Sequence, residues 1–331
     1  MARANKLAAP AMPPARLLPW LLLAGAALVA LVLFAKLPPW PKYWVVLSNA
    51  AHAPVFGALA VIGLFVLGAR TRMHPTWRVP IAFLLTVGGG MAVEWLQSLI
   101  GRDASWDDVV TDVLGAACAL AFVLWREATR NASSSSRLTR SLAPAVALAC
   151  AAAILYPLAE AGAAYTRRAS LFPVIAEFDS GLDLYFLSGV GAVATRGQLP
   201  ENWRTATDPE SLRVRVAGEA YPGVAFTEPA RDWSGGSTLR LDVTNPDTSP
   251  LHLNVRVHDV AHNLHYDDRF NRRFVIDGST RTTISIPLLD IRQGPASRLL
   301  DLESVAGLIV FADGPSATFG RQFFLTRIWL E

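Results

Sequence analysis

Five long apolar runs fill most of the first half of the chain, at about residues 17–35, 53–69, 79–99, 109–125 and 142–159, and they constrain the fold more than any other feature. Each approaches the roughly 20 residues that a helix needs to cross about 30 Å of hydrocarbon. The composition agrees, with 52% of residues hydrophobic and 17% charged and a mean hydropathy of +0.32. An average soluble domain carries about a quarter of its residues charged. The first run follows Arg3, Lys6 and Arg16 as a signal peptide would, but no small-residue cleavage site precedes KLPPWPKYW. It therefore reads as a retained helix.

Lys and Arg placement sets the expected orientation. With the N-terminus cytoplasmic, the inner side holds Arg3, Lys6, Arg16, Arg70, Arg72, Arg78, Arg126, Arg130, Arg137 and Arg140. The outer side holds Lys36, Lys42, Arg102, Arg167 and Arg168, a bias of ten to five. Trp20, Trp40, Trp44, Trp77, Trp95, Trp106 and Trp125 fall near run ends, where interfacial anchors belong. Five crossings from an inside start place everything after the fifth helix outside, with the Ser-rich stretch 131–140 as a short cytoplasmic linker. The expectation is a multi-pass protein of the cytoplasmic (inner) membrane with an extracytoplasmic C-terminal domain. The net charge of +3 and pI near 9.1 then express topology, and no nucleic-acid partner is expected. Cys118 and Cys150 both lie in apolar runs, so no disulfide framework is expected.

From about residue 170 the apolar period changes to two. TLRLDVTNPDTSPLHLNVRVHD reads as a hairpin, with Leu239, Leu241 and Val243 on one face, NPDTSP as the turn, and Leu251, Leu253, Val255 and Val257 resuming the face. SLRVRVAG, RFVI, TTISIPL, AGLIVFA and FFLTRIWL read as further strands. The expected fold is a membrane all-α bundle of about five helices over residues 1–165, followed by an all-β antiparallel sandwich over 170–331.

The charges that interrupt the apolar half lie in EWLQSLIGRDASWDDVVTDVLG, residues 94–115. Glu94 and Gln97 are three apart and share a helix face; Asp108 and Asp112 are four apart, with Gly115 further along the same face. Arg102 and Ser105 fall in the connection, and His52 is expected to open the second helix on the same side of the membrane. Asp107 reads as a solvated helix-start charge complementing the dipole. Glu94 and Asp112 should lie within the apolar zone. A charge there costs about 2.5–3.5 kcal/mol on insertion scales, so each needs a partner or a wet cavity. A structural ion-pair cluster built on Arg102 and a functional pocket both remain open.

The pattern E-x-x-Q followed by R-x-x-S-x-x-D-x-x-x-[ND]-x-x-G resembles the VanZ-like family of small membrane proteins, through Glu94, Gln97, Arg102, Ser105, Asp108, Asp112 and Gly115. His52, with Phe56 four residues on, matches the family's His-aromatic motif, and the resemblance covers about residues 40–125. The chain departs from the family in carrying Ser48 and Asn49 where Asp-Lys is usual, Asp112 where Asn is usual, and Phe56 where Tyr is usual. The resemblance implies a role in envelope biology and glycopeptide-antibiotic tolerance, without a defined reaction. Two carboxylates, a His and an Arg can assemble acid-base chemistry on a headgroup, but no nucleophile accompanies them, and no catalytic residue or enzymatic reaction is assigned.

In the C-terminal half, YPGVAF, DWSGGSTLRLDVTNP, HDVAHNLHYDDRFNRRF and ISIPLLDI together resemble the jelly-roll (galactose-binding-like) carbohydrate-binding modules. The resemblance implies sugar contacts from His258, Asp259, His262, Asn263, His265, Tyr266, Asp268, Arg269, Asn271 and Arg272, unless that stretch is simply a solvated loop. Trp203 and Trp233 could stack a sugar or fill the core. The three histidines of the stretch have helical spacing on an expected loop, so no metal is expected there. No cofactor is expected either, and P-loop and nucleophile-elbow patterns are missing from the sequence. The expected partners are the lipid bilayer and an envelope glycan or lipid-linked sugar. A membrane enzyme acting on a lipid-linked sugar or phosphate, and a structural envelope scaffold, stand as alternatives.

Overall fold

The computed structural model describes residues 15–34, 41–99, 101, 105–131, 137–206, 208, 210–218 and 221–331. Arg3, Lys6, Lys36, Trp40, Arg102 and the serine run at 133–136 lie outside these described residues. The chain divides into two compact units, Met1–Ala161 and Gly162–Glu331.

The first unit is helical, with α1 (Leu18–Phe34), α2 (Lys42–Arg70), α3 (Pro75–Leu99), α4 (Trp106–Arg130) and the start of α5 (Arg137–Leu171). Four of these, α2 to α5, are long and apolar enough to cross a membrane, whereas α1 is a shorter apolar helix of 17 residues. Large apolar side chains point outward from them, among them Leu148 at 72% exposure, as a bilayer-covered surface requires. His52 does not open its helix. Pro41 sits at the N-cap of α2, and Tyr43, Trp44, Val45 and Val46 extend the helix ahead of the polar Ser48-Asn49 pair, so His52 lies in the interior of α2.

Small residues let these helices approach. A Cβ placed on Gly115 of α4 would lie 2.2 Å from the Ala53 carbonyl oxygen of α2. Ala60, Ala82 and Ala116 are fully buried beside Leu64 and Leu120. Interfaces of small residues are how membrane helices pack when lipid is as apolar as protein.

The second unit is an antiparallel sandwich whose described residues form eleven strands: β1 (Val174–Ala176), β2 (Leu187–Val190), β3 (Ala192–Gly197), β4 (Ser211–Val216), β5 (Gly223–Thr227), β6 (Thr238–Asn245), β7 (Leu251–Asp259), β8 (Phe270–Ile276), β9 (Thr280–Pro287), β10 (Val305–Ala312) and β11 (Gln322–Leu330). One sheet runs β3-β4-β11-β6-β9, with β1 added beside β11; the other runs β2-β5-β10-β7-β8. The expected hairpin does not form. β6 pairs with β9 and β11, and β7 with β8 and β10, so NPDTSP carries the chain from one sheet to the other. Leu239, Leu241 and Val243 therefore line the same core as Leu251, Leu253, Val255 and Val257, but from the other sheet. Trp233, Phe178 and Phe323 are the largest side chains fully buried there.

This unit begins before residue 170 because the last turns of α5 are bonded into it. Tyr165 donates its hydroxyl to Glu228 Oε2 at 2.6 Å. Arg167 makes a two-pronged bond to Asp183 at 2.5 and 2.9 Å. The Arg168 guanidinium lies 4.3 Å from the centroid of the Phe186 ring and donates to the Glu228 carbonyl.

Candidate functional site

Ser105 is the N-cap of α4: its hydroxyl accepts the Asp107 N–H at 3.2 Å, and its own N–H donates to Glu94 Oε2 at 2.9 Å. Capping satisfies an otherwise orphaned donor at a helix start, and here it also hands the Ser105 amide to the end of α3. Asp107 is exposed in the first turn of α4, as a solvated helix-start charge should be. One turn deeper, Asp112 is 1% exposed, and its Oδ1 meets His52 Nδ1 at 3.1 Å. Phe56 stacks on the His52 ring at 6.1 Å with an interplanar angle of 14°.

Polar atoms of His52, Glu94 and Asp108 all lie within 4.8 Å of one another. Two carboxylate oxygens in this group, Glu94 Oε1 and Asp112 Oδ2, are buried with no hydrogen-bond partner among the described residues. The fold thus gathers His52, Glu94, Ser105, Asp108 and Asp112 from three helices. It sends Gln97 elsewhere, since that amide donates to the Val32 carbonyl of α1 at 3.0 Å and ties α3 to α1. Gly115 serves the α2–α4 crossing, and Arg102 lies outside the described residues.

In the sandwich, half of the polar stretch after β7 is committed to holding its own loop. Arg298, which sequence reasoning missed, donates to both oxygens of Asp259 at 2.5 and 2.7 Å and its Nε donates to Asp268. Asp259 also accepts the Asp301 N–H at 2.8 Å, and Asp268 accepts the Asn263 N–H at 2.8 Å. Burial opposes ionisation of Asp259, but the Arg298 guanidinium and the Asp301 amide outweigh it and hold the carboxyl below its ordinary value. The same guanidinium, with the Asn263 amide, holds Asp268 down at about 2. Asp259 and Asp268 are therefore loop fasteners and not free sugar contacts, whereas Asn263 gives Asp268 only its backbone N–H and keeps an exposed side chain.

The His262 side chain is buried, with Nδ1 on the Asp268 carbonyl at 2.8 Å. Arg272 pairs with Asp290 at 2.9 Å. Trp233 is fully buried with its indole N–H on the Ala230 carbonyl at 2.5 Å, which makes it core and rules it out as a platform. Trp203 is half-buried in a short turn, and its carbonyl receives Arg281 at 3.0 Å. The accessible candidates of the stretch are Asn263, His265 and Tyr266, the last 67% exposed with the Arg269 guanidinium 5.1 Å from the centroid of its ring.

His258 and Asn271 lie on a different surface, the outer face of the five-stranded sheet. β7 alternates strictly, burying Leu251, Leu253, Val255 and Val257 and turning His252, Asn254, Arg256 and His258 outward. Across to β8, Arg256 pairs with Asn271 and Asn254 with Arg273. Across to β10, His258 pairs with Gly307, and its ring fills the space where a Gly307 side chain would be, 2.2 Å from that Cβ position. Burial, then the charge of Arg256, pulls His258 down to about 4, so the imidazole is neutral. Burial, then the charge of Arg269, lowers Arg256. Arg256 Nη2 meets His262 Nε2 at 3.3 Å, but among the described residues Arg256 Nε, His258 Nδ1, Arg269 Nε and Asn271 Nδ2 have no hydrogen-bond partner and no carboxylate forms an ion pair with Arg256 or Arg269. The alternation of LHLNVRVHD contained the signal for this face, because its polar positions had to point away from the core.

No protein-family model matches the sequence, and no curated protein matches it. Solved structures match about half of the chain. A family 11 carbohydrate-binding module from Clostridium thermocellum, in complex with a β-1,3-1,4-mixed-linked tetrasaccharide, is 16% identical over 47% of this chain and 93% of its own, with a TM-score of 0.35. The CBM22-1 xylan-binding domain from Paenibacillus barcinonensis Xyn10C is 12% identical over 47% of this chain and 94% of its own, with a TM-score of 0.33. An exo-β-agarase is 15% identical over 48% of this chain, with a TM-score of 0.38, and the match spans 24% of the agarase.

Proposed function

We propose that this chain is a multi-pass membrane protein whose β-sandwich binds an envelope glycan carrying acidic groups along the outer face of the sheet β2-β5-β10-β7-β8. The observation that supports this most is the set of planar polar side chains on one sheet face, Arg256, His258, Asn271 and the adjacent Arg269, each with a buried nitrogen that has no hydrogen-bond partner among the described residues. Buried donor nitrogens left without a partner are costly, and a sugar with a carboxylate or phosphate offers the acceptor oxygens that Arg favours. Tyr266, exposed beneath Arg269, supplies an apolar ring face at the rim.

The helical unit is read as VanZ-like and inserted in the cytoplasmic membrane with the sandwich outside. What supports insertion is the set of four long apolar helices and the convergence of His52, Glu94, Asp108 and Asp112 in one buried cluster; the outer placement of the sandwich needs the shorter apolar helix α1 as a fifth crossing. The full chain in lipid nanodiscs should bind a subset of acidic oligosaccharides on a glycan array. Arg256→Ala and Asn271→Ala should each weaken that binding about tenfold or more, while Arg272→Ala, which faces Asp290, leaves it intact. The labelled array hit should also decorate intact spheroplasts expressing the chain. A blank array with well-folded protein removes the glycan reading, and decoration only after permeabilisation reverses the topology. Glycopeptide tolerance belongs to the same reading, and unchanged glycopeptide susceptibility in a deletion strain removes it.

A further inference from the structure

We propose that His52, Glu94 and Asp108 form a binding site for one divalent transition-metal ion of the zinc class, with Asp112 as the residue that orients His52. The three donors come from α2, α3 and the first turn of α4, and their polar atoms lie within 4.8 Å of one another. Zinc bonds of roughly 2.0–2.2 Å place tetrahedral donors about 3.3–3.6 Å apart, so side-chain rotation of about 1.5 Å closes the set. One imidazole and two carboxylates suit zinc and its neighbours better than calcium or magnesium, which take oxygen alone.

Independent features point to a cation and not to a simple acidic cluster. Glu94 is 5% exposed, its Oε2 is held by the Ser105 amide, and its Oε1 is buried with no partner among the described residues. A fixed, buried, unpaired carboxylate oxygen is an arrangement that a positive ion completes. His52 Nδ1 is engaged by Asp112 at 3.1 Å, which leaves Nε2 as the donor. Carboxylate–histidine–metal triads have this form, the carboxylate fixing the ring's tautomer and direction. Asp112 is kept at its post by the absence of a side chain on Gly90, where a Cβ would lie 2.6 Å from Asp112 Oδ2. Three protein ligands leave a fourth position open on a tetrahedral ion, as in zinc sites that bind water or substrate. The site belongs to the helical unit, so it stands or falls independently of glycan binding by the sandwich.

The test uses the full chain, purified in detergent through a tag without histidine, stripped with chelator, reloaded with zinc and desalted. Elemental analysis should give about one zinc per chain. His52→Gln and Glu94→Gln should weaken zinc binding at least about 100-fold, Asp112→Asn about 10–100-fold, and the exposed Asp107→Asn not at all. Wild-type protein that retains no stoichiometric zinc, or His52→Gln and Glu94→Gln variants that match wild type, overturn the site. Should those variants aggregate, cobalt loaded into the wild-type chain decides. Intense visible d–d bands of four-coordinate cobalt support the site, and the weak spectrum of six-coordinate aqua-like cobalt overturns it.

Discussion

Arg298→Met should lower the unfolding free energy of the sandwich by about 3 kcal/mol, the lower end of what breaking a buried ion pair costs. Asp259 is 1% exposed, and two of the three hydrogen bonds to its carboxylate come from the Arg298 guanidinium, so the substitution strands a charge in the interior. Methionine keeps the apolar stem, which separates the loss of charge from the loss of packing. The measurement is urea unfolding at pH 7 followed by circular dichroism on residues 162–331, the compact unit with its own core. The acid limb gives a second readout. Asp259 and Asp268 are held below their ordinary values, Asp268 at about 2. A depressed carboxylate contributes stability that is fully present above its unfolded value, about 3.9, and is lost as pH falls through its folded value. Wild type should therefore lose stability between about pH 4 and pH 2, and Arg298→Met should show a flatter profile over that window. Equal urea midpoints for the two proteins would mean that Asp259 and Asp268 are not structural, and would return them to the list of ligand contacts.

That network also shows where sequence reading stops. HDVAHNLHYDDRFNRRF looks like a dense polar contact surface because its residues are adjacent, but the group that organises it is 39 positions from Asp259 and 30 from Asp268. Spacing along a chain cannot reveal such a partner. The hairpin error has the same origin. Period two in TLRLDVTN and LHLNVRVHD says which side chains face a core, and both strands do bury those residues. It says nothing about whether two apolar faces lie side by side or opposite, and here they lie opposite, in different sheets. In the helical unit the long apolar runs were legible because membrane-grade helices declare themselves by length alone. His52 and Asp112 are 60 positions apart, and only a motif resemblance, not a spacing rule, connects them in the sequence. The helix start at Lys42 was missed because a polar Ser-Asn pair looks like a boundary, although a helix whose one face is packed tolerates such residues in its interior.

Gly115→Leu should reduce accumulation of the chain in membranes several-fold and lower its thermal aggregation midpoint in detergent. The neighbours of a Cβ at residue 115 are the Ala53 carbonyl oxygen at 2.2 Å and the Ala53 Cα at 2.6 Å, both backbone atoms that cannot swing aside. Ordinary contact requires more than about 3 Å, so α2 and α4 must separate by about 1 Å or more at this level for alanine, and further for leucine. Overpacking of this kind typically costs about 1–3 kcal/mol, and more where no side chain can yield. The separation falls on the cluster as well. Ala53 follows His52 directly on α2, and Asp112 lies one helical turn before Gly115 on α4, so moving the helices apart stretches the 3.1 Å contact between the two. Gly63→Leu is the matched control, because a Cβ on Gly63 meets nothing within 4 Å among the described residues. Immunoblots of membrane fractions and aggregation midpoints for both variants separate a packing effect from a general intolerance of bulk. If Gly115→Leu accumulates and melts like wild type while Gly63→Leu does the same, the α2–α4 crossing is looser than its geometry implies, and His52 and Asp112 are not held together by it. If Gly115→Ala already loses zinc binding while remaining folded, the close crossing positions the His52–Asp112 pair and is not merely a means of packing two helices.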